Sequence, residues 1–183
     1  KRGSLELTKT VNSLEVLENQ AVFSLSNIPD RPGIAAQIFE KLSEASISVD
    51  LIIQATNDGN KNDITFTVSE LEVKKTAEQC ELITSQLGGE YNLKTNMTKL
   101  SIQGAGIMGR PSVSADLFDT LSQANINVRL IATSEIKVSC VIEINNIPKA
   151  IRFVAEKFKL SDTQIFVNPI YEKQNQPEVR GIA

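Results

Sequence analysis

Seven consecutive residues, Asn27-Ile28-Pro29-Asp30-Arg31-Pro32-Gly33, carry the most suggestive chemistry in the chain. A Pro-containing turn that opens a helix leaves backbone N–H groups without intrahelical partners, and such donors suit a carboxylate. Gly33 has no Cβ to keep a ligand away from the backbone. Asp30 offers a negative charge for an ammonium, and it is equally a plausible cap for the helix. An amino acid carries both complementary charges. The same Asp, Pro and Gly residues would also make an ordinary turn.

A second stretch, Gly104-Ala105-Gly106-Ile107-Met108-Gly109, fits the G-x-G-x-x-G spacing of a dinucleotide-binding turn and lies between a strand and a helix. Against that chemistry, Asn127, Val128 and Arg129 stand near the end of the next strand, where an Asp or Glu should meet the ribose. We read these glycines as a tight backbone turn that needs a permissive φ.

The composition closes off other chemistry. The 183 residues include no His, which excludes an imidazole base or an imidazole metal ligand within the chain. Cys80 and Cys140 are far apart with no C-x-x-C, so they indicate neither a disulfide framework nor a zinc knuckle but buried hydrophobes in a reducing compartment. A net charge of −3 gives no long-range attraction for nucleic acid or anionic membrane, which leaves small molecules and protein as the expected partners. Apolar runs of only a few residues and no signal-peptide layout make a cytoplasmic location the expectation. The start at Lys1 suggests a fragment of something longer.

The elements that position these residues come from a repeat. Sliding the sequence by 79 residues aligns 27–52 with 106–131 and gives twelve identities in 26 positions, among them Arg31/Arg110, Pro32/Pro111, Phe39/Phe118 and Leu51/Leu130. In the first copy Ala21, Phe23 and Leu25 alternate as a strand, and Ile38, Phe39, Leu42 and Ala45 recur at helical spacing. Residues 46–54 and 125–133 are rich in β-branched residues and read as strands. Ile64, Phe66 and Val68, like Val138, Cys140 and Ile142, alternate again after a turn at Asn57-Asp58-Gly59-Asn60 in the longer first hairpin. Second helices carry Val73, Ala77, Cys80 and Leu87, or Ile147, Ile151, Val154 and Phe158, and closing strands fall near 91–96 and 163–167. This βαββαβ order, twice over, predicts an α+β chain of two ferredoxin-like modules with antiparallel sheets, associating side by side. The expected boundaries are 14–97 and 98–170, with 171–183 a linker and the start of a further module.

The strings around these elements carry a family resemblance. The Asp30-Arg31-Pro32-Gly33 turn, Ile47-Ser48-Val49-Asp50-Leu51-Ile52-Ile53-Gln54 and Asn62-Asp63-Ile64-Thr65-Phe66-Thr67-Val68 look like an ACT domain of the aspartate kinase regulatory region. Gly104-Ala105-Gly106-Ile107-Met108 and the stretch from Ile126 to Ser139 resemble that region's second ACT unit, and Pro177-Glu178-Val179-Arg180-Gly181-Ile182-Ala183 resembles the opening of another pair, as in cyanobacterial-type enzymes with four units.

The resemblance implies a homodimer formed by ACT packing, attached to an aspartate kinase catalytic domain where ATP would bind. It also implies an allosteric pocket for L-threonine or L-lysine where units of two chains meet. The matching positions are Asp30, Gly33, Ile34, Ala35, Gln54, Asp63, Ile64 and Thr65, with Asn127 and Val128 on the facing unit and Ser134 nearby. It implies no catalytic residue, cofactor or metal in this stretch. In the second copy Gly109 and Ser112 replace Asp30 and Gly33, so one competent site per pair is expected. The family architecture further implies that the lead-in before residue 20 completes the second unit's sheet. Two rivals remain. An RNA-binding version of the fold would need a basic surface and sheet aromatics that this chain lacks. A dimerisation module that binds no amino acid would keep the same edges.

Overall fold

The computed structural model describes residues 10–168. In chain order the elements are β1 (Ser13–Pro29), α1 (Ile34–Glu44), β2 (Ile52–Asn57), β3 (Lys61–Ser69), α2 (Val73–Leu87), β4 (Glu90–Gln103), α3 (Pro111–Gln123), β5 (Leu130–Thr133), β6 (Lys137–Glu143), α4 (Ile147–Phe158) and β7 (Ile165–Val167). The expected further module at 171–183 and the first part of the lead-in lie outside the described residues.

The strands form one mixed sheet in the order β2-β3-β1-β4-β6-β5, with β7 alongside β1. Strands β1 and β4 are antiparallel from Ser13↔Gln103 to Ser26↔Glu90, so they run through both halves of the molecule. Residues 20–29 of β1 pair with β3 and with the start of β4. The stretch from Leu14 to Val16 instead lies between the end of β4 and β7, which pairs with it in parallel. The second half of the sheet thus takes a strand from the beginning of the chain.

Two bulges make this crossing compatible with burial. The β1/β4 register shifts on either side of Gln20, where Asn19 (φ 55°) and Asn96 (φ 58°) adopt left-handed backbone. Side chains alternate faces with a period of two, so an unbroken β1 would place Leu14 and Phe23 on opposite faces. The extra residue at Asn19 restores the phase. Leu14 and Val16 join a core with Leu117 of α3 and Val154 of α4. Phe23 and Leu25 join another with Ile38 of α1 and Ile83 of α2, in which Phe23 stacks on Phe66 at 5.7 Å. A third, smaller cluster of Val22, Met97 and Val141 is covered by Leu51 and Leu130, the same repeat position in both copies.

The strands expected at 46–54 and 125–133 begin later, at Ile52 and Leu130. Ser46 (φ 58°) and Asn125 (φ 56°) terminate the preceding helices in left-handed backbone, and the N–H groups of Ile47 and Ile126 return to the carbonyls of Leu42 and Leu121, each at 2.9 Å. The chain therefore leaves each helix through a turn before it reaches the ladder. Among the described residues, no helix is long and apolar enough to cross a membrane.

Candidate site at the first helix mouth

Helix α1 opens on Gly33, whose φ of 89° is left-handed, and no side chain caps it. This corrects the capping role considered for Asp30. Ile34 N–H reaches back to the Arg31 carbonyl at 3.3 Å and Gln37 N–H to the Gly33 carbonyl at 3.0 Å. Buried Ile34, Ile38 and Leu42 fix the helix on the sheet, so its first turn has a set position, with exposed Gly33 and half-buried Ala35 at the mouth.

Asp30 is held by the β2–β3 hairpin instead. Its N–H donates to the Asn60 carbonyl at 2.9 Å, and Asn62 Nδ2 donates to its Oδ1, also at 2.9 Å. Its Oδ2 has no hydrogen-bond partner among the described residues. An exposed carboxylate with one oxygen anchored and one free, beside an uncapped helix N-terminus, can receive a cation next to a set of anion-binding donors.

The other expected residues divide. Asp63 uses both oxygens structurally, accepting from Asn27 N–H at 3.1 Å and from Asn57 Nδ2 at 2.7 Å, so it fastens the hairpin turn to the turn ahead of α1. Ile64 is buried in the first core. Thr65 Oγ1 donates to Ser24 Oγ at 3.2 Å, and Gln54 is exposed on the edge strand opposite Ile64. Asn62, which the sequence did not single out, is the nearest side-chain partner of Asp30. Its signal was available in the hairpin alignment, where Asn62 meets Ile136 of the second copy just as Asp30 meets Gly109.

Asn127 and Val128 line a hollow of about 550 Å³ with Phe118 and Ser122. Ser134 lines another of about 510 Å³ with Met108, Arg110 and Glu135. Neither hollow is lined by the turn at Asp30, so one chain by itself does not bring these residues to it.

The glycine-rich stretch bears out the permissive-φ turn at one of its glycines and has another reason at the other two. Gly109 alone of its three glycines has positive φ, at 73°. Gly104 and Gly106 pack directly against the backbone of Thr10, where a Cβ would collide. Arg110 Nη1 also donates to Thr10 Oγ1 at 3.0 Å. The lead-in chain occupies the space beside these two glycines.

Burial pushes both thiols, Cys80 and Cys140, up to about 12, so neither is a nucleophile near neutral pH. Among the described residues, no group of three or more His, Cys, Asp or Glu could hold a metal ion.

The ACT domain family model matches residues 26–81 and 100–158. The aspartokinase of Thermus thermophilus is 34% identical over 162 residues, covering 87% of this chain and 40% of that protein. That of Helicobacter pylori is 33% identical over 159 residues, covering 87% and 39%. The chain therefore spans about two-fifths of the length of these relatives. The ligand-free regulatory subunit of aspartate kinase from Thermus thermophilus superposes with a TM-score of 0.77 at 34% identity, covering 82% of this chain and 99% of that one. Aspartate kinase from Synechocystis gives 0.82 at 35% identity, covering 86% and 28%.

Proposed function

The chain belongs to the ACT-domain family, as a regulatory region of the aspartate kinase type, and from that premise we propose that it senses L-threonine or L-lysine at the mouth of α1. The observation that carries this reading is the free Oδ2 of Asp30 beside the uncapped start of α1. An α-ammonium meets the carboxylate while an α-carboxylate meets the Ala35 N–H in the first turn of α1, the Ile34 N–H being engaged by the Arg31 carbonyl. The second copy has Gly109 and Ser112 at these positions and lacks the ammonium partner.

Two copies of the chain complete the site. Ile52 and Ile131, matched in the repeat, are 53% and 48% exposed on the edge strands β2 and β5, and apolar side chains on unpaired edges favour side-by-side association. That contact supplies Asn127, Val128 and Ser134 of one chain to the Asp30 turn of the other. Gln54 and the backbone around Ile64 and Thr65 form its floor, and Asp63 keeps the turn in place.

In the parent protein, a kinase domain that binds ATP phosphorylates the side-chain carboxylate of aspartate, and this region returns the level of an end product to it. The effector acts through its differential affinity for two arrangements of the dimer. A coupling of about 1–3 kcal/mol gives several-fold to hundred-fold control. Equilibrium sedimentation, with and without L-threonine and L-lysine, tests the two-chain site. A dimer tightened by one of them is expected, and a monomer at every concentration and with either ligand would refute it.

The rival is a dimerisation module without a ligand. The exposed Ile52 and Ile131 serve it equally well, but the half-free Asp30 carboxylate then has no task.

A further inference from the structure

We infer that Asn62 is a positioning residue for ligand selectivity: it holds the Asp30 carboxylate so that the first helix mouth accepts ligands bearing a protonated α-amine. The inference rests on the amino-acid-sensing reading above and adds to it a residue outside the expected effector positions.

Three observations carry it. Asn62 lies on β3 opposite Ile28, is 4% exposed, and gives its Nδ2 to Asp30 Oδ1 at 2.9 Å. A buried amide on a strand is a stiff anchor, whereas Asp30 itself sits on an exposed turn whose carboxylate could otherwise rotate freely.

The Oδ1 of the same amide is buried and has no hydrogen-bond partner among the described residues. An orphaned buried acceptor is a cost that Thr or Val at this strand position would avoid. Turning the amide over would put its oxygen against the Asp30 carboxylate, so the orientation is fixed by that contact.

The two residues are also absent together. The hairpin alignment sets Asn62 against Ile136 and the turn alignment sets Asp30 against Gly109, so the copy without the carboxylate also lacks its anchor. Asp63, one residue along, has both oxygens engaged in joining turns, so it does not stand in for Asp30 as the partner of an ammonium.

The consequence is selectivity. With Asp30 anchored, an amino acid gains a charge-assisted bond that its 2-hydroxy analogue, with a neutral hydroxyl in place of the ammonium, does not. The test is calorimetric titration of the full chain with L-threonine and L-lysine and, for whichever binds, with its 2-hydroxy analogue.

The unsubstituted chain is expected to prefer the amino acid by about tenfold or more. Asn62→Ile, which installs the second copy's residue, is expected to bring that preference close to one while leaving the affinity for the hydroxy analogue unchanged. It should have no further effect in an Asp30→Ala background. Asn62→Thr, better suited to a buried strand position, makes the same measurement if Asn62→Ile does not fold.

A uniform loss of affinity for both ligands, or an undiminished preference, overturns the positioning role and leaves the sensing function standing. Failure of the unsubstituted chain to bind either amino acid overturns the sensing function, and this inference with it.

Discussion

The Lys99 ammonium lies 2.6 Å from the Asp50 carboxylate, with the Lys99 side chain 9% exposed and that of Asp50 38%. Lys99 stands on β4, which both halves share, and Asp50 lies in the stretch that leads into the edge strand β2. The pair therefore ties the edge of the first half to the seam of the molecule. Removing Asp50 leaves a buried ammonium uncompensated, whereas removing Lys99 leaves a carboxylate that water can still reach. Asp50→Ala should cost about 1–3 kcal/mol, below the loss for a fully buried pair because Asp50 is partly solvated, and Lys99→Met should cost less. Urea unfolding of both variants measures the difference, and equal losses would show that desolvation of Lys99 is not the controlling term.

A Cβ at Gly104 would run into the backbone of Thr10 and Val11, while one at Gly109 would meet open space. Gly104→Ala should cost about 1–3 kcal/mol through overpacking and loosen the lead-in. Gly109→Ala carries only the left-handed backbone cost of about 1–2 kcal/mol, at a φ of 73°. Thermal unfolding together with proteolysis near residue 10 reports both effects. Unchanged protection of the lead-in in Gly104→Ala would mean that it is not seated on the glycines.

The two thiols give a pH dependence. Burial raises Cys80 and Cys140 from 9.0 to about 12 in the folded chain. A group whose folded pKa is raised contributes stability in full below its unfolded value, and that contribution is lost as pH rises through the folded one. Stability should therefore fall from about pH 9 towards about pH 12, and the double variant Cys80→Ala/Cys140→Ala should show a shallower fall. Iodoacetamide at neutral pH should leave both thiols unmodified in the folded protein. Fast alkylation would place them outside the core.

Asn19 and Asn96 sit at the bulges that rephase β1 and β4. Asn tolerates left-handed backbone and a β-branched residue does not, so Asn19→Val should destabilise by about 1–2 kcal/mol while Asn19→Gly should be close to neutral. The pair is measured by denaturant midpoint. A stable Asn19→Val would mean that the bulge can move along the strand.

These asparagines also show where the sequence is hard to read. The helices and the alternation of Phe23 and Leu25 are local patterns, and the repeat reinforced each of them. The passage of β1 from one half to the other is not local. Leu14 and Val16 alternate in one phase and Ala21, Phe23 and Leu25 in the other, and the change marks the bulge only once the pairing with β4 is known. The charge pattern of the first turn was legible because Asp30 and Gly33 are neighbours, but the anchor of Asp30 lies 32 residues away across a hairpin. Likewise, no spacing rule tells that Gly104 is pressed by Thr10 rather than by its own φ.

Binding of an amino acid at the mouth of α1 through Asp30 is measured by calorimetric titration of the chain and of Asp30→Ala with L-threonine and L-lysine. A saturable heat with at least one of them is expected, and about ten- to hundred-fold weaker binding to a folded Asp30→Ala variant. Absence of heat with both ligands on the folded, dimeric chain, or binding that Asp30→Ala leaves intact, would contradict it.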